Sequence, residues 1–208
     1  MKINNSTFIR TNDRLIRTAF RENLAKLNEA DEEVKIIEEL GVVHGAARVD
    51  IAVVNGIIHG YELKSDLDTL YRLPGQMKFY NSVFDQVTLV VGKNHLHDAI
   101  KIVPEWWGLI VARADESKNT VNFFEIRKSE ENPLKESLPV AKLLWRHEAL
   151  LILEKINQAK GIRSKPREII YQRLANTMDQ EELRTEVRKC LSTRTNWRSG
   201  RQLALSGD

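Results

Sequence analysis

The chain has 208 residues, 42% hydrophobic and 29% charged, with a formal net charge of +3, which excludes a disordered polyelectrolyte and leaves partners to be argued from where the charge lies. It holds no apolar run long enough to span a bilayer and no secretory-signal pattern at its amino terminus. Its single cysteine, Cys190, excludes an internal disulfide and a multi-cysteine zinc site, so a cytoplasmic protein with no membrane partner is expected.

Asp13 to Leu27 reads as a first helix, because Leu15, Ile16, Ala19, Phe20, Asn23, Leu24 and Leu27 share a face at helical spacing. Val34 to Leu40 is a short strand. Two further strands, Arg48 to Val54 and His59 to Lys64, flank Asn55-Gly56, a common hairpin dipeptide. Asp68 is placed to cap a helix running to about Val83, kinked or restarted at Pro74-Gly75. Gln86 to Val91 is a continuous apolar strand of the buried kind. A short helix from Leu96 to Ile102 leads to a strand from Trp107 to Ala112, with Trp106 and Trp107 expected to anchor it in the core. Thr120 to Ile126 suits an edge strand. From about Val140 the pattern is helical to Thr195, broken at Gly161 and around Asn176 to Asp179. The order α-β-β-β-α-β-α-β-β, followed by helices, is that of a mixed α/β sheet flanked by helices. Residues 1–130 form the expected α/β core, 131–200 a basic helical region and 201–208 a loose tail.

The hairpin carries the chemistry. A two-residue turn at Asn55-Gly56 would put Glu62 on a face with Val49 and Ile51 and spoil it. A three-residue loop, Asn55-Gly56-Ile57, instead sets Val49 opposite Leu63, Ile51 opposite Tyr61 and Val53 opposite His59. The other face then brings Asp50 opposite Glu62, with Lys64 two residues further on. Directly opposed Cβ atoms lie about 5 Å apart. Two carboxylates that close raise one another's pKa unless a cation sits between them. Their hard oxygen ligands favour Mg²⁺ or Mn²⁺, with Lys64 beside the ion to hold a water or balance charge. An isolated Asp…Glu-x-Lys triplet would read as three solvated charges. The tight hairpin and the helix that follows argue against chance here.

Asp50, then Glu62-Leu63-Lys64, then Gln76-x-x-x-Tyr80 on the next helix, resembles the PD-(D/E)XK nuclease superfamily. The Gln-x-x-x-Tyr element is similar to the branch holding RecB-type nuclease domains and lambda exonuclease, and the run from Ala47 to Gly92 looks like a small prokaryotic branch of it. The resemblance covers about residues 13–112. It implies a restriction-endonuclease-like α-β-β-β-α-β core and metal-dependent phosphodiester hydrolysis. Asp50 and Glu62 would be metal ligands, Lys64 the water-positioning residue, and Gln76 and Tyr80 would stand near the metal or the substrate phosphates. No proline precedes Asp50, a position that is lax in the family. The family's further acidic residue has three candidates, Asp13, Glu22 and Glu39, of which Glu39 ranks first for the metal.

Nucleic acid, DNA before RNA, is the partner this implies, and a homo-oligomer stays open. Arg48 and Arg72 are candidate phosphate contacts near the hairpin. From Lys160 to Arg201 basic residues outnumber acidic ones roughly two to one. Two helices joined near Asn176 to Asp179 suit either a helix-turn-helix-like unit or a helical hairpin packed on the core. Arg194, Trp197 and Arg198 are candidate nucleic-acid contacts by charge and stacking. A metal-dependent nuclease is therefore the first reading. A non-catalytic nucleic-acid-binding or protein-interaction module on the same fold is the second, and it has no need of Asp50, Glu62 and Lys64 together.

Overall fold

The computed structural model describes residues 8–31, 33–115 and 120–195. A two-residue strand, β1 (Phe8–Ile9), precedes α1 (Asp13–Leu27), whose start is capped where the Asn12 side chain accepts the Leu15 N–H. β2 (Lys35–Val42), β3 (Ala47–Asn55) and β4 (Ile57–Lys64) form an antiparallel meander. α2 (Leu73–Val83) crosses to β5 (Gln86–Gly92), and α3 (Leu96–Ile102) crosses to β6 (Gly108–Asp115), so β4, β5 and β6 run parallel. β7 (Thr120–Arg127) returns antiparallel along β6. The seven strands make one mixed sheet running β1-β6-β5-β4-β3-β2, with β7 on the other side of β6. The chain ends in α4 (Ser137–Ala141), α5 (Arg146–Lys155), α6 (Arg167–Thr177) and α7 (Gln180–Thr193).

Both faces of the sheet are covered. Ile16, Phe20 and Leu24 recur every four residues and bury one stripe of α1 against Ile51, Val53, Leu63, Val90 and Ala112. On the opposite face Val54, Ile58, Val87, Leu89 and Val91 cluster with Leu73, Tyr80 and Val83 of α2 and with side chains of α4 to α7. Each fully buried aliphatic or aromatic side chain contributes about 1.5–3 kcal/mol relative to exposure. β5 faces apolar side chains on both sides, which is why its sequence is an unbroken apolar run rather than an alternating one. Trp107 is fully buried and its indole N–H donates to Asn81 Oδ1 at 2.9 Å, the anchoring role expected of it.

The hairpin register is the three-residue-loop one. Val54 pairs with Ile58, Val53 with His59 and Ile51 with Tyr61, and Gly56 at the tip takes φ +63°, which glycine adopts without strain. Three expectations, for Val49, Asp68 and Leu27, need correction. Val49 does not stand opposite Leu63, because the ladder ends at Ile51 and Tyr61, and Val49 packs in the cluster with α2 while Leu63 packs in the one with α1. Asp68 does not cap α2. Its carboxylate accepts from the Ser65 N–H and hydroxyl, and the helix starts only at Leu73, with Arg72 at the cap and Pro74 in the first turn, where a missing N–H costs nothing. Leu27, assigned to the apolar face of α1, is 73% exposed, because the helix ends there and its last turn overhangs the sheet. Beyond residue 130, Val140, Leu153, Ile170 and Leu183 join the same hydrophobic cluster as β3 and β5. No helix among the described residues is long and apolar enough to cross a membrane.

Candidate functional site

β4 holds Glu62 and Lys64 on one face by strand alternation, and α2 holds Gln76 and Tyr80 one turn apart above them. Glu62 is 1% exposed and Lys64 6%. The Lys64 ammonium donates to Glu62 Oε1, which also accepts from Gln76 Nε2 at 2.7 Å. The Tyr80 hydroxyl lies 2.7 Å from Glu62 Oε2 and 2.6 Å from the Arg48 carbonyl oxygen, so its single proton serves one acceptor at a time. Gln76 Nε2 also reaches the Tyr80 oxygen at 3.3 Å, while Gln76 Oε1 is buried and has no partner.

Asp50 stands beside this group for a reason rooted in the ladder. Regular pairing of β3 with β4 stops at Ile51 and Tyr61, and the next N–H on β4, that of Leu63, donates to Asp50 Oδ2 at 2.7 Å. A side chain thus replaces a main-chain acceptor where the strands part. Asp50 Oδ1 accepts from Arg17 Nη2 at 2.7 Å. The same guanidinium reaches Glu39 Oε1 at 2.7 Å and Asp13 Oδ1 at 3.1 Å. Leu40 pairs with Val49 and Glu38 with Ile51, so Glu39, Asp50 and Glu62 lie in a row across β2, β3 and β4. Glu39 itself adopts φ +56° and is also held by Arg48 Nη1 at 3.3 Å.

The electrostatics follow from burial. Desolvation raises the Asp50 pKa above the ordinary carboxylate value, against the Leu63 N–H and Arg17, which lower it. Burial raises that of Glu62 too, and the nearby Asp50 charge adds to the rise, with Lys64 only partly offsetting both. Tyr80 is held protonated by burial and by Glu62. Burial works against the Arg17 charge, but Asp13 and Asp50 outweigh it and its pKa is raised.

Five of the residues singled out by pattern (Asp50, Glu62, Lys64, Gln76 and Tyr80) therefore converge, and Glu39 joins them through Arg17. Arg48 is 60% exposed beside Glu39, and Arg72 is exposed at the start of α2. Arg194 is a correction. It is 6% exposed, its Nε donates to Glu148 Oε1 at 2.7 Å, its Nη2 donates to the Leu143 carbonyl at 2.9 Å, and its guanidinium lies over the Trp145 ring at 4.4 Å. It ties the end of α7 to α5, and its burial withholds it from a phosphate. Trp197 and Arg198 lie outside the described residues. α6 and α7 bury Ile170, Tyr171, Leu174, Leu183 and Val187 in the core cluster of the sheet. Arg17 was missed. Its only local signal is its position four residues after Asp13, which any surface i,i+4 pair on a helix would share.

The oxygen donors at this pocket fit a hard cation in kind. Asp50 and Glu62 each bear a burial cost that a dication would relieve, and Gln76 Oε1 is an orphaned neutral oxygen next to Glu62. As they stand, Lys64 and Arg17 supply the positive charge. Among the described residues no three His, Cys, Asp or Glu side chains converge as a ready-made cage.

These observations define a mixed α/β protein with a buried carboxylate–lysine cluster at the end of a hairpin, held by a Gln-x-x-x-Tyr helix. The family model for bacteriophage P4 protein cII matches residues 11–204, and the chain belongs to that family. Protein cII of Enterobacteria phage P4 is 34% identical over 96 residues, which cover 46% of this chain and 36% of that protein, so the match spans about a third of the relative's length. Among solved structures, a protein of unknown function from Silicibacter pomeroyi aligns with a TM-score of 0.42 at 18% identity, over 74% of this chain and 100% of that one.

Proposed function

We propose that this chain is a metal-dependent nuclease of PD-(D/E)XK type, on a restriction-endonuclease-like core, that hydrolyses phosphodiester bonds in DNA in preference to RNA. The observation that carries the reading is the meeting of Asp50, Glu62 and Lys64 from two hairpin strands with Gln76 and Tyr80 from the helix that follows. Asp50 and Glu62, with Glu39 as a further candidate, would hold Mg²⁺ or Mn²⁺, and the ion would supply Lewis acidity toward a phosphate oxygen. Lys64 places a positive charge where a water attacks and negative charge develops. Gln76 and Tyr80 fix the Glu62 carboxylate by one hydrogen bond on each oxygen. Arg48 and Arg72, exposed near the pocket, are the proposed phosphate contacts.

A second reading has its own support. Both oxygens of Asp50 and of Glu62 already accept hydrogen bonds within the protein. A non-catalytic nucleic-acid-binding or protein-interaction module could keep such a network for stability alone. Labelled single-stranded DNA, double-stranded DNA and RNA incubated with Mn²⁺, Mg²⁺ or EDTA separate the two, with Lys64→Ala purified in parallel. The nuclease reading expects metal-dependent cutting that the variant loses by at least about a hundredfold. Binding without cutting by either protein would move the assignment to the module.

A further inference from the structure

The charge that two adjacent carboxylates demand is met, in this structure, by a residue no motif assigns. Arg17 projects from α1, and its guanidinium spans Asp13, Glu39 and Asp50, the last of them 33 positions away in sequence. Three features make it a displaceable counter-ion rather than a fixed brace. Its side chain is 23% exposed and two of its partners, Asp13 and Glu39, are 52% and 42% exposed, so water reaches the cluster. Guanidinium does not lose its proton, so it can leave Asp50 only by moving. It can move without being stranded, because Asp13, one turn away on the same helix, remains to hold it once Asp50 is given up, whether or not Glu39 turns to the ion.

We propose that Arg17 is an internal latch on the metal site: it neutralises Asp50 when no cation is bound and must swing off Asp50 Oδ1 before a divalent ion can use that oxygen. The latch rests on the metal-site reading above and deepens it. Arg17 sets the affinity of the site and keeps two buried carboxylates tolerable in the empty protein. Arg21, one turn further along α1, pairs with Glu38 at 2.7 Å instead, and so offers a control of equal charge that does not touch Asp50.

The test is calorimetric titration of the chelator-stripped full chain with Mn²⁺ alone, for wild type, Arg17→Gln, Arg17→Lys, Arg21→Gln and Asp50→Asn. The latch expects Arg17→Gln to bind Mn²⁺ about tenfold more tightly than wild type, Arg17→Lys to fall between them, and Arg21→Gln to stay within about twofold of wild type. Asp50→Asn should abolish the isotherm. Melting curves in EDTA show which variants fold, and Arg17→Lys keeps the comparison alive if the glutamine variant does not. Equal or weaker binding by Arg17→Gln overturns the latch and leaves the metal site standing. Equal tightening by Arg21→Gln also overturns it, since net charge would then explain the effect. Absence of Mn²⁺ binding in every protein overturns the latch and the metal-site reading together.

Discussion

Two clusters in this protein pair buried carboxylates with basic side chains and differ in the balance of charge. At the first, a single carboxylate, Asp85, accepts the Ile58 N–H at 2.7 Å and the fully buried Arg184 at 2.7 Å, with Lys135 at 3.7 Å and Arg188 at 3.9 Å. At the second, two carboxylates, Asp50 and Glu62, share Lys64 and Arg17, and each cluster leaves one buried polar atom without a partner, Arg184 Nη1 at the first and Gln76 Oε1 at the second. The Asp85 cluster joins α7 and the loop after β7 to the end of α2 and the start of β5, and one negative charge meets an excess of positive ones. It is a clasp. At the hairpin, like charges are brought together and then neutralised from opposite sides, which costs stability and makes sense where something else is to be bound.

The clasp can be broken first. Arg184→Ala removes the partner of a buried carboxylate and the donor to the Val83 carbonyl, and should cost about 3–5 kcal/mol in urea unfolding. An unchanged unfolding midpoint would mean that Lys135 and Arg188 carry Asp85 unaided. A next effect belongs to neither cluster and calibrates both. His59 is half-buried between Thr88 and Tyr61, and desolvation of its ring pushes its pKa down to about 4. The unfolded chain takes up a proton near 6.5 while the folded ring stays neutral, so stability is full above that value. It then falls as pH drops from about 6.5 to about 4, by on the order of 3 kcal/mol at most. His59→Gln should flatten that part of the stability–pH curve, and an identical curve would show that the ring charges freely in the fold.

Smaller effects separate structural arginines from exposed ones. Arg194→Ala should lower stability by about 2 kcal/mol through its lost bonds to Glu148, with no change in the salt dependence of nucleic-acid binding. Arg48→Ala should do the reverse, leaving the melting temperature nearly fixed and reducing the slope of log affinity against log salt by about 1. A salt slope altered by Arg194 and not by Arg48 would invert the assignment of the basic residues.

Local pattern and long-range pairing divide what could be read from the chain. The bounds of α1 and α3, the hairpin register and the continuous β5 follow from periodicity and turn chemistry, because an error of one residue would turn apolar side chains to water. Asp50, Glu62 and Lys64 were legible from the hairpin pattern, whereas Gln76 and Tyr80 were legible only through the family resemblance, since a Gln-x-x-x-Tyr pair alone suits any amphipathic helix. Arg17, Arg184 and Arg194 were not. Each is a basic residue on a helix, and whether it is solvated or buried depends on an acid 33, 99 or 46 positions away that no local pattern marks. Asp68 failed differently, since an acid before a helix can serve its own turn as well as the helix.

The contrast between the clusters comes down to one pair of isosteric substitutions, Asp85→Asn and Asp50→Asn, compared by urea unfolding at pH 8. If the hairpin cluster is built for binding and the other for holding the fold, Asp85→Asn should lose about 2 kcal/mol or more, because it strands the fully buried Arg184. Asp50→Asn leaves Arg17 with Asp13 and Glu39 and relieves Glu62 of a like charge, so stability should be unchanged or rise by up to about 1 kcal/mol. An Asp50→Asn protein as unstable as Asp85→Asn would contradict the account and make both clusters structural.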